Sequence, residues 1–212
     1  MKQTDIIPFY GGTHPELFEI ERRCMDREGK VIDELQQLLP NGLILDIGAG
    51  NGFTAAKLQT TQRTIIGMEP DELMIDRTKQ VIFTKGCAQD IPFHTHTFDA
   101  AYSTWAFFFE GITDLDKGIA EMKRVVKKGG PLIIVDNYGE DEFCALSDRL
   151  ITSSTNHWIK RGFDYHVIET AFIFDHVEEA RKLLGFYFGE PGKAVEKTRF
   201  EYKVAVYTAL ND

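Results

Sequence analysis

The sequence predicts a doubly wound α/β fold: a mostly parallel sheet with helices on both faces. Helical and strand-like periodicities alternate along most of the chain, which is the pattern of successive strand–helix–strand units. Residues 43 to 52 read Leu-Ile-Leu-Asp-Ile-Gly-Ala-Gly-Asn-Gly, an apolar run, an acid and then three glycines at alternate positions. A chain of 212 residues with 43% hydrophobic content buries one substantial core, so one domain with a small elaboration is expected.

The elements follow in order. Between residues 15 and 39, Leu17, Ile20, Met25, Val31, Ile32, Leu35, Leu38 and Leu39 recur at helical spacing, with a break at Gly29. Pro40-Asn41-Gly42 stops the helix, and Leu43 to Ile47 is the first strand. Gly48, Gly50 and Gly52 make a tight turn into a helix over residues 53 to 59. A second strand spans Thr64 to Glu69, and a helix is expected from Glu72 to about Gln80. Val81 to Lys85 and Phe98 to Thr104 are the third and fourth strands. Leu115 to Lys128 is a helix whose last turn carries Lys123, Arg124, Lys127 and Lys128, cations at the negative end of its dipole. Gly129-Gly130 ends it. Pro131 to Asp136 is the fifth strand, with proline at its start. Residues 141 to 161 read as helical. Two late strands, 165 to 174 and 199 to 209, bracket a helix near 177 to 184 and suit an antiparallel addition at the sheet edge.

The formal charge of −9 argues against a general nucleic-acid or anionic-membrane surface and favours a small or neutral substrate. Cys24, Cys87 and Cys144 form neither a metal-type pair nor a disulfide framework, as expected of reduced thiols in a cytoplasmic protein. The N-terminal residues lack the apolar core of a signal peptide, and no run is long enough to span a membrane.

The glycine turn places a polar ligand at the crevice beyond the strand ends, close to bare backbone. A dinucleotide fingerprint has its third glycine where this chain has Phe53. Asp46, two residues before the first glycine, repels phosphates and suits a ligand bearing a cation and hydroxyls. Glu69 ends the second strand 23 residues beyond Asp46. A carboxylate there accepts from both hydroxyls of a ribose. Gln89-Asp90-Ile91-Pro92-Phe93 then makes a pocket wall. Asp90 is placed to accept from an adenine amino group, the Ile91 amide to face a ring nitrogen, and Met68 and Ile91 to pack on the two sides of the base.

In order, Leu-Asp-Ile-Gly-Ala-Gly-Asn-Gly, Gly-Met-Glu-Pro, Gln-Asp-Ile-Pro-Phe, Phe-Asp-Ala-Ala-Tyr-Ser and Val-Lys-Lys-Gly-Gly-Pro-Leu-Ile-Ile-Val resemble the class I S-adenosylmethionine-dependent methyltransferases. Within that group they are most similar to the small free-standing branch that includes quinone-biosynthesis and other small-molecule enzymes. The motifs cover residues 43 to 136. The resemblance implies a Rossmann-like seven-stranded sheet with its last strand inserted antiparallel. It implies S-adenosyl-L-methionine as cofactor and S-adenosyl-L-homocysteine as product. Gly48 and Gly50 would line the methionine part, Glu69, with Met68 and Pro70 beside it, would hold the ribose, and Asp90 and Ile91 the adenine. Ser103 would lie near the methyl donor, and Tyr10 would belong to a lid hinged at Gly11-Gly12. Residues 1 to 40 become a helical lid, 41 to 137 the cofactor-binding core and 138 to 212 a substrate-shaping segment. The chain departs from the family where Thr104-Trp105-Ala106-Phe107-Phe108-Phe109 replaces an apolar–histidine pair, and where Lys128-Gly129-Gly130-Pro131 replaces Pro-Gly-Gly. The first departure puts in doubt any acceptor carried over from relatives.

Other candidates are weaker. His14 suits a solvent-exposed helix start better than a base. His94 and His96 flank a threonine without a third ligand at metal spacing, so no metal is expected. Trp105 and Phe107 to Phe109 either line an acceptor pocket or are core. Asn137 and Tyr138 face the crevice in this topology, and His157, Trp158 and His166 lie in the late segment that shapes specificity. No Asp/Asn-Pro-Pro-Tyr/Phe tetrapeptide is present, which disfavours a flipped adenine as acceptor. A nicotinamide-dependent oxidoreductase and a non-catalytic S-adenosylmethionine-binding protein remain as rival readings.

Overall fold

A computed structural model describes residues 9–106, 115–147 and 155–212. Its centre is a seven-stranded sheet in the order β3-β2-β1-β4-β5-β7-β6. The strands are β1 (Gly42–Ile47), β2 (Arg63–Glu69), β3 (Ile82–Lys85), β4 (Ala100–Thr104), β5 (Pro131–Asn137), β6 (Asp164–Ile173) and β7 (Arg199–Leu210). Strands β1 to β5 pair in parallel, with Ile44 opposite Ile65 and Ala100. Strand β7 runs antiparallel between β5 and β6, setting Tyr207 against Ile134 on one side and Tyr165 on the other.

The helices are α1 (Pro15–Cys24), α2 (Lys30–Leu38), α3 (Phe53–Leu58), α4 (Leu115–Val125), α5 (Thr155–Ile159), α6 (Val177–Phe188) and α7 (Glu190–Lys193). Alternation along β1 splits the core in two. Ile44 faces a cluster with Leu17, Val31, Leu35, Leu58 and Leu183, whereas Leu45 and Ile47 face Met122, Val125, Ile134 and Trp158. Both faces of the sheet are thus covered, which explains why β1 and β5 read as continuous apolar runs. Among the described residues no helix is long and apolar enough to cross a membrane.

The break expected at Gly29 is real and has a specific fastening. Both oxygens of Asp26 accept amide protons at the start of α2, from Lys30 at 3.1 Å and Val31 at 2.9 Å, and the Thr170 hydroxyl donates to Asp26 at 2.6 Å. One buried carboxylate therefore caps α2 and ties it to β6.

Three expectations are corrected. The helix from Glu72 to Gln80 is a single 3₁₀ turn, Glu72–Met74. Asp71 takes the Leu73 amide, and Asp76 takes both the amide and the hydroxyl of Thr78, so short acidic side chains compete with the helical ladder. Where a helix over 141 to 161 is expected, the described residues form a turn at Cys144–Leu146 and the short α5, residues 148–154 lying outside those described. Helix α4 stops at Val125, and its cation Arg124 reaches away from the helix end to the Phe93 and Ile91 carbonyls at 2.7 and 2.9 Å.

Candidate functional site: a cleft over the glycine turn

The strand order reverses at β1, which pairs with β2 on one side and β4 on the other. A crevice opens beyond the carboxyl ends of such strands because their crossover helices depart to opposite faces. Here it is a cleft of about 1010 Å³, open mouth included, between the turn after β1, the ends of β2 and β4, and helix α1.

The floor is backbone. Gly48 has φ of 76°, and a Cβ there would lie 2.4 Å from that of Ala106, so only glycine lets the turn pass under the end of β4. Asn51 accepts the Phe53 amide at 3.1 Å, starting α3, and donates to Glu19 of α1 at 3.2 Å. Glu69 closes the turn from the side. Its two oxygens accept the Gly50 amide at 2.8 Å and the Asp71 amide at 3.0 Å. Burial raises its pKa against the pull of those two amides. The carboxylate is thus held in one orientation with lone pairs left to receive hydroxyls.

The walls are aromatic at one end. Phe9, Phe18, Phe53 and Trp105 line it. Trp105 has φ of 50°, a conformation rare for a bulky side chain. It is held by its amide on the Val135 carbonyl at 2.9 Å and its indole N–H on the Tyr202 hydroxyl at 2.7 Å. Such tethering against strain is a mark of functional positions. At the other end the wall is Gly86, Cys87, Ala88 and Gln89.

The sequence-predicted residues fall into two groups. Gly48, Gly50, Glu69 and Pro70 line the cleft together. Asp46, Met68, Ile91 and Ser103 stand behind its surface. Asp46 is buried and accepts the Tyr102 hydroxyl at 2.9 Å; Ser103 donates to the Ile47 carbonyl at 2.7 Å. The Ile91 amide is not directed at a ring nitrogen, because it donates to Glu121 at 3.0 Å. Asp90 is exposed, outside the cleft lining. Tyr10 also lies off the lining, its hydroxyl bonded to Glu21 and, at 2.7 Å, to that of Tyr187. Burial foremost, with the Glu21 charge behind it, raises its pKa.

Of the weaker candidates among the described residues, only Trp105 reaches the cleft. Trp158 is fully buried against Phe163 and Tyr207. Asn137 accepts from Tyr202, and Tyr138 stacks on Tyr165. His166 meets Glu34 at 3.0 Å, and His14 packs against Phe186. His157 has its pKa lowered, chiefly by burial. His94 and His96 sit in the turn before β4. Phe107 to Phe109 lie outside the described residues. Sequence reasoning missed Phe18, Glu21 and Arg22 on α1. Their i, i+3, i+4 spacing marks one helix face, but a helix face does not say which cleft it meets.

A family model described as "Methyltransferase domain" matches residues 45–134, spanning β1 to β5. The ubiquinone/menaquinone biosynthesis C-methyltransferase UbiE of Saccharophagus degradans is 33% identical over 146 residues, 63% of this chain and 52% of that protein. The uncharacterized methyltransferase YcgJ of Bacillus subtilis is 28% identical, over 60% of this chain and 51% of that protein. The chain spans about half the length of these curated relatives. A solved structure from Thermotoga maritima, described as a SAM-dependent methyltransferase and possible histamine N-methyltransferase, superposes with a TM-score of 0.63 at 22% identity, covering 96% of this chain and 97% of that one. That family's cofactor is S-adenosyl-L-methionine and its product S-adenosyl-L-homocysteine. Sheet order, glycine turn and motif order are similar to those of the class I S-adenosylmethionine-dependent methyltransferases, and the methyltransferase domain model matches residues 45–134.

Proposed function

We propose that this protein transfers the methyl group of S-adenosyl-L-methionine to a small-molecule acceptor by in-line displacement. The observation that carries the proposal is the Glu69 carboxylate, oriented by the Gly50 and Asp71 amides at the rim of a glycine-floored cleft. A cradle that a single Cβ at residue 48 would fill, beside one fixed carboxylate, fits a nucleoside brought close to bare backbone.

Glu69 takes the two ribose hydroxyls, with Pro70 beside it and Met68 supporting it from beneath. Residues 86 to 89 border the adenine, braced by Asp90 and Ile91. Gly48 and Gly50 lie along the amino-acid end, and Asp46 and Ser103 hold that turn from the protein interior. Tyr10 fixes Glu21 and with it the rim of the cleft. When bound, the cofactor supplies a methyl group activated by a sulfonium. The protein's contribution is alignment and exclusion of water: good positioning is worth effective molarities of about 10⁵–10⁸ M. An apolar, aromatic-lined mouth and a net charge of −9 favour a small acceptor over a polyanion. The quinone-biosynthesis relatives support the same class.

Isothermal titration with S-adenosyl-L-methionine is expected to show one site per chain, and NADH none. A panel of phenolic, quinol and amine acceptors, assayed for S-adenosyl-L-homocysteine release, identifies the acceptor class. Absence of binding by the methyl donor at saturating concentration removes the proposal.

A further inference from the structure

Trp105 is a wall of two spaces at once. A second cavity of about 450 Å³ adjoins the cleft, and the two share Trp105, Phe53, Thr54 and Arg22. The indole therefore sets where the aromatic end of the cleft stops. Strand register explains how it is held there. Strand β5 pairs Thr104 with Val135 on one side, and Asn137 with Val204 on the other. Trp105, one residue past β4, extends the first ladder by giving its amide to the Val135 carbonyl at 2.9 Å. Asn137 ends β5, and Tyr202, two residues before Val204 on β7, shares its face of the sheet.

The Tyr202 hydroxyl donates to Asn137 Oδ1 and accepts the Trp105 indole N–H at 2.7 Å. The direction of this chain is fixed. An indole N–H only donates and a side-chain carbonyl only accepts, so the one hydroxyl proton goes to Asn137 and a lone pair is left facing the indole. Tyr202 is fully buried, its ring edge-on to Phe143 and Phe172 with centroids 5.3 and 5.0 Å away. Packing thus keeps the hydroxyl in place, and polar groups in series away from water reinforce one another. The Arg22 guanidinium covers the indole ring at 5.2 Å.

We propose that Tyr202 is a positioning residue of the cleft: its hydroxyl, anchored on Asn137, fixes the Trp105 indole as the partition between the cleft and the second cavity. Tyr202 does not line the cleft and acts through Trp105. The proposal rests on the methyl-donor reading and deepens it, because a wall fixed in advance keeps the cleft in its ligand-ready shape. A protein whose competent form is only a fraction of the population binds more weakly by that fraction.

The test uses the two tryptophans of the chain as fluorine reporters. Trp158 is fully buried in the cluster on the other face of the sheet. Labelling with 5-fluorotryptophan therefore gives one NMR line for the partition and one for an internal control, assigned with Trp105→Phe. S-adenosyl-L-homocysteine is titrated into the wild type, Tyr202→Phe, Trp105→Phe and the double variant. The wild-type Trp105 line is expected to be single and narrow. Tyr202→Phe keeps the ring and removes the hydroxyl. It is expected to broaden or split the Trp105 line, leave the Trp158 line in place, and weaken S-adenosyl-L-homocysteine about three- to tenfold.

In the double variant the Tyr202 substitution is expected to add nothing to Trp105→Phe, within about twofold, since the residue it acts through is gone. Full additivity, or a Trp158 line that changes along with that of Trp105, marks a packing role and overturns the proposal. A Tyr202→Phe protein that keeps either the wild-type Trp105 line or the wild-type affinity overturns it as well. Should Tyr202→Phe fail to fold, Asn137→Leu, which removes the anchor at the far end of the chain, is judged by the same readings. A wild type that binds no S-adenosyl-L-homocysteine refutes the methyl-donor reading, a distinct result, and the line shapes of the free proteins then decide the tether alone.

Discussion

The Tyr102 hydroxyl donates to Asp46 at 2.9 Å inside the sheet, leaving the second oxygen of that carboxylate without a partner. Burial is the main reason its pKa is pushed up to about 7, with the Glu69 charge adding to it and the Tyr102 hydrogen bond and Arg22 opposing it. The acid at the start of the glycine motif is thus a strained internal support.

A pH dependence of stability follows from that shift. The folded state holds the Asp46 proton up to about pH 7, whereas the unfolded chain releases it near pH 4. Stability from this group is complete below the unfolded value and is lost as pH rises through the folded one. Asp46→Asn is expected to be more stable than the wild type at pH 8, by on the order of 2–4 kcal/mol, with the gain vanishing near pH 4. Urea unfolding at the two pH values checks it. A gain independent of pH contradicts the assignment.

Glu69 predicts a graded loss of binding. Charged hydrogen bonds are worth about 1.5–3 kcal/mol each. Glu69→Gln keeps one acceptor and one fixed orientation, and is expected to weaken S-adenosyl-L-homocysteine about tenfold. Glu69→Ala also frees the Gly50 amide and is expected to weaken it about a hundredfold. Equal effects of the two substitutions would show that the carboxylate only shapes the turn.

Gly48 and Gly50 are expected to differ. A methyl group at residue 48 meets Ala106 at 2.4 Å, whereas at residue 50 its nearest contact is Phe18 at an ordinary 3.4 Å. Both positions have positive φ, so each substitution carries roughly 1–2 kcal/mol of backbone strain. Gly48→Ala adds the clash, and its melting temperature is expected to fall further than that of Gly50→Ala.

Arg63, though it looks like a surface cation beside Thr64, is buried at 5% exposure. It donates to the carbonyls of Pro40 at 2.9 Å and Gln36 at 3.2 Å, to that of Leu39, and to the Gln36 side chain at 2.7 Å. It fastens the end of α2 to the sheet. Arg63→Met is expected to cost about 2–4 kcal/mol by leaving those carbonyls unpaired, seen as a lower urea midpoint with unchanged slope.

Much of the fold was legible because each buried strand had to be apolar and each stop had to be glycine, proline or a capping acid. Leu43 to Ile47 and Pro131 to Asp136 could hardly be anything else. The segment from Glu72 to Gln80 misled because its composition suits a helix, while Asp71 and Asp76 bond to their own backbone instead. Gly48 and Gly50 were readable from one strand–turn–helix unit, and Glu69, with Pro70 after it, from its place at the end of the next strand. The face that α1 contributes was not, since it meets the cleft only through the packing of α1 over the sheet.

The sequence by itself determined the mostly parallel core and the glycine turn after β1, because local periodicity and backbone sterics dictate them within short stretches of chain. Only the tertiary structure decided that Asp46 and Ser103 face inward, that the Ile91 amide belongs to Glu121, and that Arg22 stands between two cavities. Those relations depend on hydrogen-bond partners and helix placement between residues far apart in the chain, and no local propensity encodes which distant group will claim a donor.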